Sequence, residues 1–365
     1  MKSSDALLVF LGVAYLSLLI ITVENRITVD ALASVSNAVS YPTGIARAEK
    51  LEWLPANVNA PWQKRDSQFT YIWNDELYIG GGLDATGTFT PFKSEPVYEQ
   101  ATYFNDLWKT RDGVNWTIVA SSSSLPKIRS ASVVEFANAL YLYNGWGPEI
   151  GVNEYIYKST DGVNWTRLNG KVDFTPREGQ RMFAVKNKIY MFGGVSYFSR
   201  KSFNDVWVSS DGVHFEELTS SSPWSGRWDH DVTYYKDKFW LAGGMNLNMD
   251  SFNDVWSSID GKNWNLETQT SSFEPRQGHV LLAYKDIMYL IGGLNADTNE
   301  GIGDTWFTKN GKDWFKTLQD GIWTGREDHQ AVLFNGRMIL FGGMDANWEW
   351  MNDVWISNFN FGTNN

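Results

Sequence analysis

The chain has 365 residues, a formal charge of −11, 43% hydrophobic and 20% charged residues, and no cysteine. That balance provides a packed core and excludes disorder, while the lack of cysteine excludes disulfides, thiol nucleophiles and Cys-ligated metal centres. A net acidic chain is ill suited to neutralising phosphates, so nucleic acid is excluded as a partner, and 19 tryptophans are left to be explained.

Ala6 to Val23 carries no charge over 18 residues, follows Lys2 and ends at Glu24. Such a segment is an export signal or a membrane anchor. Ala31-Leu32-Ala33 has the small-x-small form of a cleavage site, whereas the length of the apolar run favours a retained anchor. Residues 1–33 are therefore expected to be a signal peptide or anchor. Residues 34–50 are expected to be a Ser/Ala/Asn-rich linker, and residues 51–365 an exported domain, whether extracellular, on the cell surface or periplasmic. Any membrane contact is expected through the anchor alone.

A repeat organises the rest. A Gly-Gly pair closes a short apolar run at Gly81-Gly82, Gly193-Gly194, Gly243-Gly244, Gly292-Gly293 and Gly342-Gly343, with a degenerate copy at Asn144-Gly145. Successive second glycines are 63, 49, 50, 49 and 50 residues apart. Each pair is followed by FNDLW (Phe104 to Trp108), NEYIY (Asn153 to Tyr157), FNDVW (Phe203 to Trp207), FNDVW (Phe252 to Trp256), GIGDTW (Gly301 to Trp306) or MNDVW (Met351 to Trp355). In the first five units an Asp-Gly or Asn-Gly turn comes next, and then an aromatic at Trp116, Trp165, Phe215, Trp264 or Trp314. The pattern reads as four short strands per unit, a to d, with Asp-Gly turning c into d. The expected fold is all-β, a six-bladed propeller of four-stranded blades. The sixth unit stops before its strand d, and Leu51 to Trp53 is a strand d without a c, so the N-terminal strand should close the ring in the last blade.

Gly-Gly, NDxW and the following Trp at about 50-residue spacing resemble kelch repeats from Leu51 to Trp355. The resemblance implies the propeller and says little about function, since such folds serve as binding modules and as enzymes. The second unit departs from the pattern, with Asn144 for a glycine, Tyr155 for the Asp and Tyr157 for the Trp. Turns such as Ser159 to Trp165 are similar to a shortened sialidase Asp-box and are read as a turn solution only. The resemblance to copper-radical oxidases of the galactose oxidase type fails for want of the Tyr–Cys cross-link. Exported six-bladed kelch proteins that isomerise sialic acid are the better enzymatic analogy.

The a–b and c–d turns are about two residues long, so the b–c and d–a loops on the opposite face should bind ligand. The longest, Leu83 to Phe104, holds Phe89, Phe92, Tyr98 and Tyr103. Before each strand a stands an arginine, Arg65, Arg129, Arg177, Arg227, Arg276 and Arg326, spaced 64, 48, 50, 49 and 50 residues. They are expected to ring the channel mouth. Two readings are open: capture of a carboxylate, sulfate or phosphate, or pairing with each blade's own acid (Asp106, Asp205, Asp254, Asp304, Asp353). The second is favoured for most of them, because a ligand lacks sixfold symmetry. His230, His279 and His329 share a slot three residues after the arginine and are too far apart for zinc; they are read as structural hydrogen-bonding groups. Candidate acids on the face are Asp66, Glu178, Asp229, Glu327 and Asp328. Of the tryptophans, Trp146, Trp228, Trp348 and Trp350 escape the repeat and could stack on sugar rings or anchor a protein. The candidate ligand-binding residues are these four and the six arginines, with no catalytic residue assigned, no cofactor and no metal. The expected function is a monomeric binding module for a glycan or a surface protein. The alternatives are an enzyme on an anionic sugar, mutarotase- or epimerase-like, and a purely structural or adhesive protein.

Overall fold

The computed structural model describes residues 50–88, 96–319 and 321–359. The expected address and linker up to residue 49, and Phe89 and Phe92, lie outside the described residues. Among the described residues no helix is long and apolar enough to cross a membrane.

Six four-stranded antiparallel sheets follow the repeat. The first has strand a Phe69–Trp73, b Glu76–Gly80, c Leu107–Thr110 and d Thr117–Ala120. The other five a strands, Ser132–Phe136, Arg181–Val185, Asp231–Tyr235, Val280–Tyr284 and Gln330–Phe334, surround the central channel with it. Asn74-Asp75, Ala137-Asn138, Lys186-Asn187 and Lys236-Asp237 take left-handed φ at both positions. That conformation matches the twist of a two-residue hairpin. Strand b is covered on both faces by neighbouring blades, which is why ELYIG, ALYLY and IMYLI are buried throughout rather than alternating.

The ring closes as expected. Leu51–Asn57 pairs antiparallel with Val354–Phe359, with Leu51 opposite Phe359 and Trp53 opposite Ser357. Trp53 is buried, and its indole N–H donates to Thr305 Oγ1 of the fifth blade at 3.0 Å. Aromatics also fill the gaps between blades edge to face. Trp62 meets Trp116 at 4.6 Å, Phe174 meets Phe215 at 5.1 Å, Trp224 meets Trp264 at 6.1 Å and Phe273 meets Trp314 at 5.2 Å. These geometries favour aromatic pairs beyond the area they bury. They account for the tryptophans set three residues before an arginine.

The c–d turns repeat one hydrogen-bond set. In the second blade Asp161 Oδ1 accepts from the Val163 and Asn164 backbone N–H groups, and Gly162 N–H donates to Ser159 Oγ. The turn glycine has φ near +80° and faces the neighbouring blade. In the fifth blade a Cβ on Gly311 would land inside the Trp240 ring, whereas one on Gly170, also left-handed, would meet nothing. Gly170→Ala should therefore lose about 1 kcal/mol, the conformational cost alone. Gly311→Ala should lose about 1–3 kcal/mol beyond that from overpacking, read as a difference in urea midpoints at equal slope.

Candidate functional site

Five of the six arginines are buried in ion pairs with their own blades. Arg65 Nη1 and Nη2 donate to Asp106 Oδ1 and Oδ2 at 2.6 and 2.7 Å, Nη1 also donates to the Gly81 carbonyl at 2.9 Å, and Nε to the Gln63 carbonyl at 3.1 Å. Arg177–Asp205, Arg227–Asp254, Arg276–Asp304 and Arg326–Asp353 repeat the arrangement. The rest of the NDxW signature completes it. The phenylalanine before the Asn lies under the guanidinium, at 4.1 Å for Phe104, 3.6 Å for Phe203 and 4.2 Å for Phe252. The Asn amide donates to loop carbonyls, as Asn204 does to Ser222 and Trp224, and the Trp indole N–H donates to the Asp Oδ2. In these five blades the arginine belongs to the architecture.

Arg129 differs because it is one residue out of register. The second glycine of each blade donates its N–H to a carbonyl of the next: Gly343 to Arg65, Gly145 to Arg177, Gly194 to Arg227, Gly244 to Arg276 and Gly293 to Arg326, but Gly82 to Ile128. Ile128 thus holds the arginine slot of the second blade. It is fully buried in an apolar cluster that includes Tyr155, the residue standing where the acid would be. Apolar packing in that cluster replaces the ion pair, and Arg129 falls into the following slot. That slot is marked by a backbone bridge to the b–c loop, as in Asp66 with Leu83, Arg129 with Trp146, Glu178 with Val195, Trp228 with Met245, Gln277 with Leu294 and Glu327 with Met344.

The next residue of each blade is left-handed: Ser67, Ser130, Gly179, Asp229, Gly278 and Asp328. Their backbones link around the channel, Ser130 N–H to Ser67, Ser67 to Asp328, Asp328 to Gly278, Gly278 to Asp229 and Asp229 to Gly179, at 2.8–3.0 Å. The remaining junction is spanned by Arg129 Nε donating to Glu178 Oε2 at 3.1 Å. This belt is lined from both sides. Toward the short turns lies the channel of about 380 Å³, and toward the long loops lies a funnel of about 510 Å³.

The funnel gathers all five candidate acids, Asp66, Glu178, Asp229, Glu327 and Asp328, with Arg129. Burial, followed by the nearby Asp328 carboxylate, pushes Asp66 up to about 8 against the pull of Arg129. Burial also drives Glu178, Asp229, Glu327 and Asp328 upward, and like charge adds to it in all but Asp328. Asp66 is 3% exposed and its Oδ1 makes no hydrogen bond of normal geometry.

The tryptophans separate. Trp348 and the edge of the buried Trp228 line the funnel together with Tyr98 and Tyr197. Trp146 instead lies over Arg129, 5.7 Å from its guanidinium, and Trp350 is buried against Leu83, Tyr103 and Met344. The histidines are buried, and burial, followed by the adjacent arginine, pushes His279 and His329 down to about 3. No hydrogen bond of normal geometry reaches their ring nitrogens, although the Ala242 backbone acts on His279 and the Arg326 and Ile291 backbones on His329 as hydrogen-bond partners, and packing holds the rings. Each ring edge occupies the space a Cβ would need on Gly193, Gly243 or Gly292 of the preceding blade. Among the described residues no group of three His, Asp or Glu side chains could hold a metal. Sequence reasoning passed over Gln277, Tyr197 and the methionines Met245, Met249 and Met344 in the lining. For Gln277 the signal was present, since it follows a ring arginine as Asp66, Glu178 and Glu327 do.

Comparison with protein families finds that the KLHDC2/KLHL20/DRC7 Kelch-repeats domain matches residues 130–319, just over half of the chain. No curated protein matches. Among solved structures, that of YjhT is similar in fold, with a TM-score of 0.63 at 20% identity over 82% of this chain and 96% of that one.

Removing one partner of a buried ion pair strands the other charge. Asp254→Ala should therefore lose about 3–5 kcal/mol in chemical denaturation. The double change Arg227→Ile with Asp254→Tyr, which installs the second blade's solution, should recover most of that loss. A second expectation concerns pH. A carboxyl whose folded pKa is raised stabilises the fold fully below its unfolded value of about 4, and that contribution is lost as pH climbs through the folded value, here about 8. Between pH 5 and 8 the melting temperature of the native chain should consequently fall more steeply than that of Asp66→Asn.

Proposed function

The chain belongs to the kelch-repeat propeller family, and from that premise we propose that it is an exported binding module whose long-loop funnel holds a glycan. Kelch propellers commonly serve as interaction modules, which supports a binding role without fixing it; the glycan is our own reading. What carries it is the convergence, in one cavity of about 510 Å³, of carboxyl groups, a guanidinium and aromatic side chains. The volume suits one or two sugar units. Carboxyl and amide oxygens accept from sugar hydroxyls, Arg129 donates to them, and the Tyr98 and Trp348 rings offer flat faces for pyranose stacking. Export rests on the uncharged run Ala6 to Val23.

A second reading has one observation in its favour. The Asp66 carboxyl, at about 8, is matched to proton transfer near neutrality and sits in the same cavity as Arg129. This suits an enzyme that opens and closes or epimerises an anionic sugar, with Arg129 on its carboxylate.

A glycan screen on the purified full-length protein separates the readings. Saturable binding without turnover is expected, weakened about tenfold or more by Trp348→Ala and unchanged by Ile118→Ala on an outer strand. Anomer conversion followed by NMR and abolished by Asp66→Asn would establish the enzyme, and a protein with no response to any glycan would turn the proposal toward a protein ligand.

A further inference from the structure

The funnel is rich in hydrogen-bond acceptors and poor in donors. Its lining holds six carboxyl side chains, Asp66, Glu178, Asp229, Glu327, Asp328 and Asp345, against the single guanidinium of Arg129. Arg129 is already engaged with Glu178. Two buried acceptors on the lining, Asp66 Oδ1 and Gln277 Oε1, in residues 3% and 4% exposed, make no hydrogen bond of normal geometry, and the Asp66 carboxyl interacts only with the side chains of Trp350 and Ser67 as donors beside Arg129. The Gln277 amide spends its N–H on Glu327, and Ser67 Oγ donates to Asp328 Oδ2 at 2.9 Å. What the cavity lacks is therefore a group that donates several hydrogen bonds and brings positive charge.

A metal ion does not fit, since among the described residues no three of these carboxylates are grouped closely enough. A carboxylate ligand has no proton to give to Asp66 Oδ1 or Gln277 Oε1. An ammonium group has three donors, no acceptor and a reach of about 2.8 Å per bond. The aromatic rings of Tyr98, Tyr197 and Trp348 in the same lining suit a cation.

We propose that the funnel selects a ligand carrying a primary ammonium group, which donates to the Asp66 carboxyl under the aromatic rim. Taken with the glycan reading, on which this part rests, the ligand is an amino sugar whose amine is free rather than acetylated. The upward displacement of the carboxyls by burial accords with this, because an incoming cation favours their ionised form. Binding should then release protons. The groups facing the ammonium are the six acids, Arg129, Tyr98 and Tyr197.

The test is calorimetry on the full-length protein at pH 6.5 with glucosamine, N-acetylglucosamine, glucose, glucuronic acid and cyclohexylamine, each in two buffers of different ionisation heat. Glucosamine is expected to bind at least tenfold more tightly than its acetylated and neutral counterparts, with net proton release. Asp66→Asn should remove that preference. Arg129→Gln should strengthen amine binding severalfold, an effect opposite in sign to that expected if the arginine captured an anion. Each variant is first checked for a cooperative melt, and Asp345→Asn on the rim serves as the second carboxyl variant if Asp66→Asn does not fold. Equal affinity for glucose and glucosamine, or preference for glucuronic acid, overturns the ammonium inference and leaves the glycan reading standing. Cyclohexylamine binding with no sugar bound supports the ammonium inference and overturns the glycan reading. Failure of both amines to bind overturns the inference.

Discussion

The buried arginine–aspartate pair is the interaction on which the rest of the propeller depends. Its guanidinium joins three parts of one blade: the entry to strand a, the first glycine after strand b, and the acid before strand c. Its own carbonyl accepts from the preceding blade, so each pair fixes one blade internally and also docks it to a neighbour. Replacing such a pair with apolar residues of similar volume is often neutral or stabilising. Its value here lies in geometry. A planar fork with five donors, satisfied on all sides, leaves one orientation for the loop that carries it.

That orientation produces the site. Once the arginine is fixed, the residue after it bridges the b–c loop, and the residue after that turns left-handed and joins the belt. The belt explains two glycines in particular. A Cβ on Gly179 would crowd Asp229 and Trp228, and one on Gly278 would crowd Glu327. Backbone strain at the four non-glycine belt residues is held in place by hydrogen bonds from blade to blade, as expected where a rigid scaffold presents functional groups. The funnel acids are likewise disfavoured in stability terms, being buried and set among their own kind.

Much of this was legible in the sequence because the repeat is itself a structural statement. The Gly-Gly spacing, the NDxW signature and the missing sixth strand d gave the six blades and their closure, and the two positions after the arginines hold the five acids that share the funnel. Arg129 was harder. Its spacings of 64 and 48 residues to its neighbours, against glycine steps of 63 and 49, carry the one-residue slip. An arginine near the right place nevertheless looks equivalent until the backbone bonds show that Ile128 holds the slot. Trp350 and Trp146 escaped the repeat pattern, yet one is buried and the other lies over Arg129. Position outside a repeat marks a side chain as locally determined and says nothing about whether it faces solvent or a neighbouring loop.

A ring built from equivalent units acquires a site only where equivalence is broken, and here it is broken at two adjacent positions. The arginine slot holds the same residue in five blades because its partners are supplied by the blade itself. One residue later the column reads Asp66, Arg129, Glu178, Trp228, Gln277 and Glu327, with no residue type repeated between neighbours around the ring. Both columns run round the same ring on the same backbone scaffold. The difference is direction: the first points into its own blade, where the repeat dictates what it must meet, and the second lines the funnel, where its members meet one another, as Arg129 does Glu178 and Gln277 does Glu327. In the second blade the two columns trade roles. Ile128 with Tyr155 forgoes the ion pair, and the positive charge that the architecture uses elsewhere is placed in the funnel against Glu178. The departure from the repeat that made this blade look degenerate is thus the change that makes the funnel asymmetric in charge.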